Sequence, residues 1–131
     1  DDDWIVATLL HDIGDGLAPQ NHDRMAAEIM RPFVRDEVTW VIEHHGTFQM
    51  IYYAHHLEGW DPNQRDQYRD HAYYQTAVDF CERWDQNCFD PLYDSQPLAF
   101  FEPFLERVFS RKAYAPETIK MGNMSGLPAM I

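Results

Sequence analysis

In the stretch Trp4-Ile5-Val6-Ala7-Thr8-Leu9-Leu10-His11-Asp12-Ile13-Gly14, the apolar residues predict a buried helix that ends near the His11-Asp12 pair. Asp1 to Asp3 precede it, where negative charge stabilises a helix N-terminus. Gly14 and Gly16 then break the helix into a loop. The pair at the helix end offers an imidazole nitrogen and a carboxylate oxygen, which are both common metal ligands.

The rest of the chain is predicted to be helical, because apolar residues recur at helical spacing and no strand pattern occurs. Asn21 is a suitable N-cap for a second helix and Asp36 for a third, and Pro32 stops the second. The helices predicted after the first cover residues 22–30, a stretch capped by Asp36 that includes His45, a stretch from Tyr68 or His71 to Asp85, and residues 98–109. We therefore expect an all-α bundle over residues 1–113 and an irregular tail over residues 114–131.

The composition excludes several classes of protein. The 131 residues include 10 Lys and Arg against 22 Asp and Glu, which gives a formal net charge of -12. So acidic a chain is repelled by nucleic-acid backbones and anionic membranes, and no apolar run reaches the ~18 residues that span a bilayer. Cys81 and Cys88 are too few for a disulfide framework and are expected to be buried thiols. We expect a cytoplasmic domain with neither nucleic acid nor membrane as a partner.

The histidines are confined to one part of the chain. All seven lie between positions 11 and 71, and three groups of them fall on predicted helices or at their ends: His11-Asp12, Asn21-His22-Asp23 and Glu43-His44-His45-Gly46. Helix ends converge in a small bundle, and facing helices can build a metal site in its core. The Asp12 carboxylate has two oxygens, so it can bridge two ions.

Leu9-Leu10-His11-Asp12-Ile13-Gly14 resembles the signature of the HD superfamily of metal-dependent enzymes, which is named for the His-Asp pair. Single-metal members use an upstream His, the pair and a late Asp, and two-metal members add two further histidines in between. His22, His45 and Asp85 follow in that order here. The resemblance implies an HD-domain bundle that holds two metal ions through His11, Asp12, His22, His45 and Asp85.

Asp12 and His45 are the residues to which the resemblance gives the catalytic roles. Neighbouring helix residues diverge by about 100°, so at least one of His44 and His45 is expected to lie outside the ligand set. The family's spacing to Gly46 favours His45 as the ligand. His44 is then a further ligand or a residue that supports the ligands from behind.

One element of the family pattern is missing. The first ligand is a His on a helix further upstream than the ten residues that precede His11, and Asp1 to Leu10 contain no His. The chain also starts within a helix and without Met. We therefore expect the native chain to extend upstream of Asp1, the alternative being an incomplete site.

Among two-metal members, the chain is most similar to the mixed-valent diiron oxygenases, the branch of myo-inositol oxygenase and the organophosphonate oxygenases. The His-Asp-Ile-Gly run, Asn21-His22-Asp23 and Arg83-Trp84-Asp85 carry this likeness. Regulatory phosphodiesterases of the superfamily carry a Gly-Tyr-Pro stretch, which is absent from this sequence. The resemblance implies two irons that activate dioxygen and oxidise a carbon-hydrogen bond of a small polar substrate, in that group an organophosphonate.

Two positions differ from the organophosphonate enzymes. Those enzymes carry His where this chain has Asp15, and Lys where it has Gln49. Both differences remove positive charge from the expected substrate end. Asp15, Gln49 and Arg24 are the expected substrate-binding residues. An anionic substrate would need Arg24, Arg65 or Arg69, whereas Asp15 would suit an ammonium group.

Two other functions are left open by the sequence. An HD-type phosphohydrolase would use the ions, then Mn or Mg, to activate a water molecule. A degenerate HD domain would bind a ligand or a partner without catalysis, as the missing upstream His suggests. Metal content and dioxygen consumption distinguish these functions from the oxygenase.

Overall fold

The computed structural model describes residues 1–86 and 96–119. Its α-helices are α1 (Asp2–Leu10), α2 (His22–Met30), α3 (Asp36–Tyr53), α4 (Tyr74–Phe80), α5 (Leu98–Phe109) and α6 (Pro116–Ile119). Two 3₁₀ turns, Ala54–His56 and Gln64–Tyr68, lie between α3 and α4, and a π-helical segment, Cys81–Asp85, continues α4. No strand occurs in this part of the chain. The prediction of an all-α fold is confirmed.

Helix α3 is central to the bundle and packs against α1, α2 and α4. Its buried residues recur every three or four positions, which places Val38, Val41, Ile42, His45 and Phe48 on the face that meets the other helices. The apolar core also contains buried side chains from the surrounding elements: Trp4, Val6, Ala7, Ala26, Ala27, Met30, Ala77, Phe80 and Trp84. His45 is therefore a polar residue inside the core of the bundle.

The acidic start of α1 is anchored by arginines from distant parts of the chain. Asp1 caps the helix by accepting a hydrogen bond from the Asp3 backbone N–H at 3.0 Å. The buried Arg35 donates to both oxygens of Asp1, at 3.1 and 2.7 Å, and its Nη1 lies 3.5 Å from Asp3. Arg111 donates to Asp3 at 2.7 Å. The predicted favourable charge at this helix end is thus combined with ion pairs that fix the orientation of α1.

The structure differs from the prediction at the start of the fourth helix, within that helix, and at the start of the third helix. The long fourth helix expected from Tyr68 or His71 begins only at Tyr74, because the Tyr73 N–H donates to the His71 ring at 3.1 Å instead of to a helical carbonyl. It also changes at Cys81, where the Gln86 N–H donates to a carbonyl five residues back. Asp36 is the first residue of α3 rather than its cap, which is Arg35.

The first residues of the segment predicted as an irregular tail are packed against the rest of the fold. The Tyr114 N–H donates to the Pro32 carbonyl at 2.7 Å, Ala115 is buried, and α6 follows. The prediction is therefore wrong for residues 114–119, whereas residues 120–131 and Cys88 lie outside the described residues. Cys81 is buried, as expected. A helix able to cross a bilayer is absent from residues 1–86 and 96–119.

Candidate metal centre

The five residues predicted as ligands come from four different elements and meet at one place. His11 and Asp12 follow the end of α1, His22 is the first residue of α2, and His45 lies in the middle of α3. Asp85 is the last residue of the π-helical segment. Their convergence was predicted from the sequence. Their role as ligands stays a prediction.

Asp12 lies between two groups of side chains and turns one carboxylate oxygen to each. Its Oδ2 is 3.1 Å from the His11 Nε2, which is also 3.1 Å from the Asp85 Oδ1. Its Oδ1 is 3.2 Å from the His22 Nε2 and 3.3 Å from the His45 Nε2. The cluster therefore divides into a His11-Asp85 side and a His22-His45 side, and Asp12 belongs to both.

The ring orientation of all three histidines is fixed by backbone carbonyls. The Nδ1 of His11 lies 2.6 Å from the Thr8 carbonyl, that of His22 3.0 Å from the Pro19 carbonyl, and that of His45 2.6 Å from the Ile42 carbonyl. Because a carbonyl only accepts, each Nδ1 carries a proton and donates it. The Nε2 of each ring then faces the centre of the cluster, where it can carry a further proton or offer a lone pair to a metal ion.

This donor set fits a divalent cation. The Nε2 atoms of His22 and His45 lie 3.1 Å apart, and that of His11 faces two carboxylates, so a proton or a metal ion is needed between these atoms. Ligand atoms of His11, Asp12 and His45 all lie within 4.8 Å of one another. Neutral imidazoles held by carbonyls at the other nitrogen, together with carboxylates, are the ligands that zinc, iron and manganese use in proteins.

The ionisation of the cluster reflects the same need for positive charge. Burial works against protonation of His11, but hydrogen bonds to Asp12 and Asp85 and their negative charges raise its pKa to about 10. Burial also opposes ionisation of Asp12, but hydrogen bonds from His11 and His45 hold the pKa of its carboxyl well below its usual range. Asp12 is therefore ionised at any physiological pH.

The cluster is buried on one side and open on the other. The side chains of His11, His45 and Asp85 are between 2% and 5% exposed, whereas that of Asp12 is 46% exposed. Asp12 lies at the start of the turn that joins α1 to α2. A small molecule from solvent would therefore approach the cluster from the side of this turn.

Gly14 allows that turn to pack closely against α2. A Cβ atom at position 14 would lie 2.7 Å from the Met25 sulfur and 3.3 Å from the His22 Cα. The Met25 sulfur can move aside, but the Met25 Cβ at 3.2 Å and the His22 Cα would also have to shift, so glycine favours this close approach of the turn to His22. The Gly after the His-Asp pair is thus part of how the cluster is assembled, a role that sequence reasoning had not given it.

His44 lies outside the cluster, as was expected of at least one of the two adjacent histidines, and the structure does not place it as a further ligand. Its Nδ1 lies 2.8 Å from the Trp40 carbonyl, and its ring stacks on the Trp40 indole at 4.3 Å and meets the Tyr68 ring at 4.9 Å. Adjacent positions of a helix point in different directions, so α3 directs His45 into the core and His44 into an aromatic cluster.

The three expected substrate-binding residues lie in different surroundings. Asp15 is exposed on the turn after Asp12, and Arg24 is exposed on α2. Gln49 is buried, and its amide nitrogen donates to the Asp85 Oδ2. The structure thus places Gln49 against a candidate ligand, which sequence reasoning had missed because the two residues are far apart in the chain.

The sequence model of one protein family, described as the HD domain, matches residues 1–83. This range covers more than half of the chain and contains His11, Asp12, His22 and His45. No curated protein and no solved structure matches the chain.

Proposed function

The chain belongs to the HD-domain family, whose members bind divalent metals and are commonly enzymes, and we propose that it is a two-metal member. The observation that supports this is the position of Asp12, whose two oxygens face different histidines. One ion would be held by His11, Asp85 and the Asp12 Oδ2. The other would be held by His22, His45 and the Asp12 Oδ1.

We propose that the reaction is the oxidation of a small polar substrate by dioxygen, with iron as the metal. Two bound irons would supply the activation of dioxygen and the oxidation of a carbon-hydrogen bond. The residues of this chain would bind the ions and hold the ligand side chains in their orientation. The carbonyls of Thr8, Pro19 and Ile42 fix the three rings, and the buried side of the cluster excludes water.

The charges around the open side favour a substrate whose exposed end is neutral or cationic. Asp12 is ionised and Asp15 is exposed on the same turn. Five arginines pair with carboxylates in other parts of the described chain: Arg31 with Glu28, Arg35 with Asp1, Arg69 with Asp66, Arg107 with Asp2 and Arg111 with Asp3. An acidic group on the substrate, such as a phosphonate, would therefore bind through the metals, with Arg24 as the cation next to the cluster in sequence.

A metal-dependent phosphohydrolase is the second candidate. It is favoured by the exposure of Asp12, because water can reach the cluster at the oxygen-rich side. In that case Mn or Mg would take the place of iron, and the ions would activate a water molecule to attack a phosphate ester.

Metal loading under controlled atmosphere separates the candidates. Metal-free protein is loaded with Fe²⁺ without oxygen, its metal content is measured, and dioxygen consumption is then followed with an aminoalkylphosphonate and with polyols. A parallel sample with Mn²⁺ is assayed without oxygen on a phosphate ester. We expect two irons per chain and substrate-dependent oxygen consumption, both of which Asp12→Ala abolishes.

Ester hydrolysis without oxygen consumption would transfer the proposal to the phosphohydrolase. A protein that binds neither metal would contradict both and identify a non-catalytic HD domain.

A further inference from the structure

Gln49 is a polar side chain at a buried position beside the candidate metal centre. It lies one helical turn after His45 on α3, so both residues project from the same face of the helix. Its amide nitrogen donates to the Asp85 Oδ2. The other oxygen of Asp85, Oδ1, is the one that faces the His11 Nε2 at 3.1 Å.

The orientation of the amide follows from charge. Two oxygens would repel each other, so the nitrogen is the amide atom that faces the Asp85 carboxylate. The amide oxygen of Gln49 is buried and has no hydrogen-bond partner within residues 1–86 and 96–119. Because an unpartnered buried acceptor is unfavourable, an apolar side chain of equal size would satisfy this position better if packing were its only role.

Gln49 also belongs to a series of contacts between α3 and the segment that carries Asp85. One turn before it, the Cys81 thiol lies 3.7 Å from the His45 carbonyl, and one turn after it, the Tyr53 hydroxyl donates to Gln86 at 3.0 Å. Only the middle contact of the three reaches a candidate ligand side chain. The π-helical segment ends at Asp85, and with Oδ2 facing Gln49 it is Oδ1 that faces the cluster.

We propose that Gln49 is a positioning residue for Asp85. By donating to Oδ2 it fixes the carboxylate so that Oδ1 is presented to the His11 side of the centre. A neutral amide does this without cancelling the negative charge of Asp85, which favours cation binding. A Lys at this position would cancel that charge. This inference rests on the proposed two-metal function, and it assigns to Gln49 a role in metal affinity instead of substrate binding.

The test compares Gln49→Met, which keeps the volume but removes the donor, with Tyr53→Phe. The control removes the neighbouring hydrogen bond between the same two segments and leaves the ligands untouched. Mn²⁺ is titrated into metal-free protein and the free ion is followed by electron paramagnetic resonance. We expect Gln49→Met to weaken binding at one of the two sites by about 10- to 100-fold, and Tyr53→Phe to leave both sites nearly unchanged.

A double-mutant cycle distinguishes positioning from a general effect on folding. In an Asp85→Asn background, Gln49→Met should change Mn²⁺ affinity by less than about twofold, because the group it acts through is already lost. If Gln49→Met does not fold, as judged by circular dichroism, Gln49→Asn takes its place, since its amide is one methylene too short to reach Asp85.

Three results would overturn the inference. They are unchanged Mn²⁺ affinity in Gln49→Met, an equal loss in Tyr53→Phe, and a full effect of Gln49→Met in the Asp85→Asn background. A parent protein that binds no Mn²⁺ and no Fe²⁺ would instead overturn the proposed function, and this inference with it.

Discussion

The Nε2 atoms of His22 and His45 lie 3.1 Å apart, although the two residues are on different helices. The rings are nearly perpendicular, with centroids 5.0 Å apart, and the Nδ1 of each donates to a carbonyl of its own chain segment. Two lone pairs at this distance repel unless a proton or a metal ion lies between them. The fold thus holds the two nitrogens in an arrangement that a cation stabilises.

His22→Ala should remove one of the two ions and leave the other bound. His22 serves only the second side of the centre, whereas His11, Asp85 and the Asp12 Oδ2 form the first. The ring of His22 is half-buried, so its loss should change the helix content little. The measurement is metal per chain after loading with Fe²⁺ or Mn²⁺.

His44→Ala is the matched control, because it removes a ring that stacks on Trp40 outside the cluster. We expect it to keep two ions. Two ions retained in His22→Ala would show that the ligand assignment is wrong.

Gly14→Ala should weaken the second metal site and destabilise the fold. The added methyl group would meet the Met25 side chain and the His22 Cα, so the turn and α2 must move apart. Overpacking of this kind costs about 1–3 kcal/mol. Gly16→Ala is the control on the same turn, since a Cβ there has no neighbour within 4 Å. Chemical denaturation and metal stoichiometry should distinguish the two variants, and equal behaviour would contradict the role of Gly14.

The sequence predicts the bounds of helices better than it predicts contacts between residues that are far apart in the chain. The bounds of α2 and α5 were predicted correctly, because Pro32 and the apolar periodicity act within a few residues of the chain; Asn21 lies at the N-cap of α2, but its side chain makes no capping hydrogen bond. The inward orientation of His45 likewise follows from local geometry, since His45 shares a helix face with Val41 and Ile42, whereas its choice as a ligand came from the family's spacing to Gly46.

Contacts between distant residues were not predictable in this way. Gln49 and Asp85 are 36 positions apart, and their contact depends on a π-helical turn that leaves no periodic signal. Asp3 and Arg111 are 108 positions apart. The role first given to Gln49 was inferred from what a related group carries at that position, and the packing of α3 against Asp85 shows a different environment.

Arg35→Met should destabilise the protein strongly. The Arg35 side chain is 5% exposed and donates to both oxygens of Asp1, and it also lies near the buried Asp3. Its removal leaves the partly exposed Asp1 without this partner, while Asp3 keeps Arg111, so the cost should lie toward the lower end of the ~3–5 kcal/mol of a broken buried pair. The measurement is the free energy of unfolding in urea.

Arg107→Met provides the comparison on the same helix end, because Arg107 also forms a bidentate pair, with Asp2, but its side chain is 53% exposed. We expect little change, since solvent screens exposed pairs. Comparable losses in both variants would contradict the distinction by burial.

Glu37→Gln should stabilise the protein at neutral and alkaline pH and lose its advantage in acid. Glu37 is buried in the first turn of α3, where Thr76 donates to its Oε1 at 2.9 Å and where Oε2 has no hydrogen-bond partner in the described chain. Burial raises the pKa of Glu37, against the opposing effects of Thr76 and Arg35. A raised pKa means that the unfolded chain ionises first, so this carboxyl lowers stability progressively as pH rises from the ordinary value of 4.5 through its raised folded pKa.

The isosteric amide has no charge to bury. The free energy of unfolding of the variant should therefore exceed that of the parent increasingly over the same pH range. At pH 8 we expect about 1 kcal/mol in favour of Glu37→Gln, the scale of an unpaired buried acceptor. Below pH 4 the difference should vanish, although both proteins lose the stabilisation that other carboxylates provide. Urea unfolding of the two proteins between pH 4 and 8 measures it. A variant that is less stable than the parent at pH 8 would mean that the Glu37 charge is compensated in the fold.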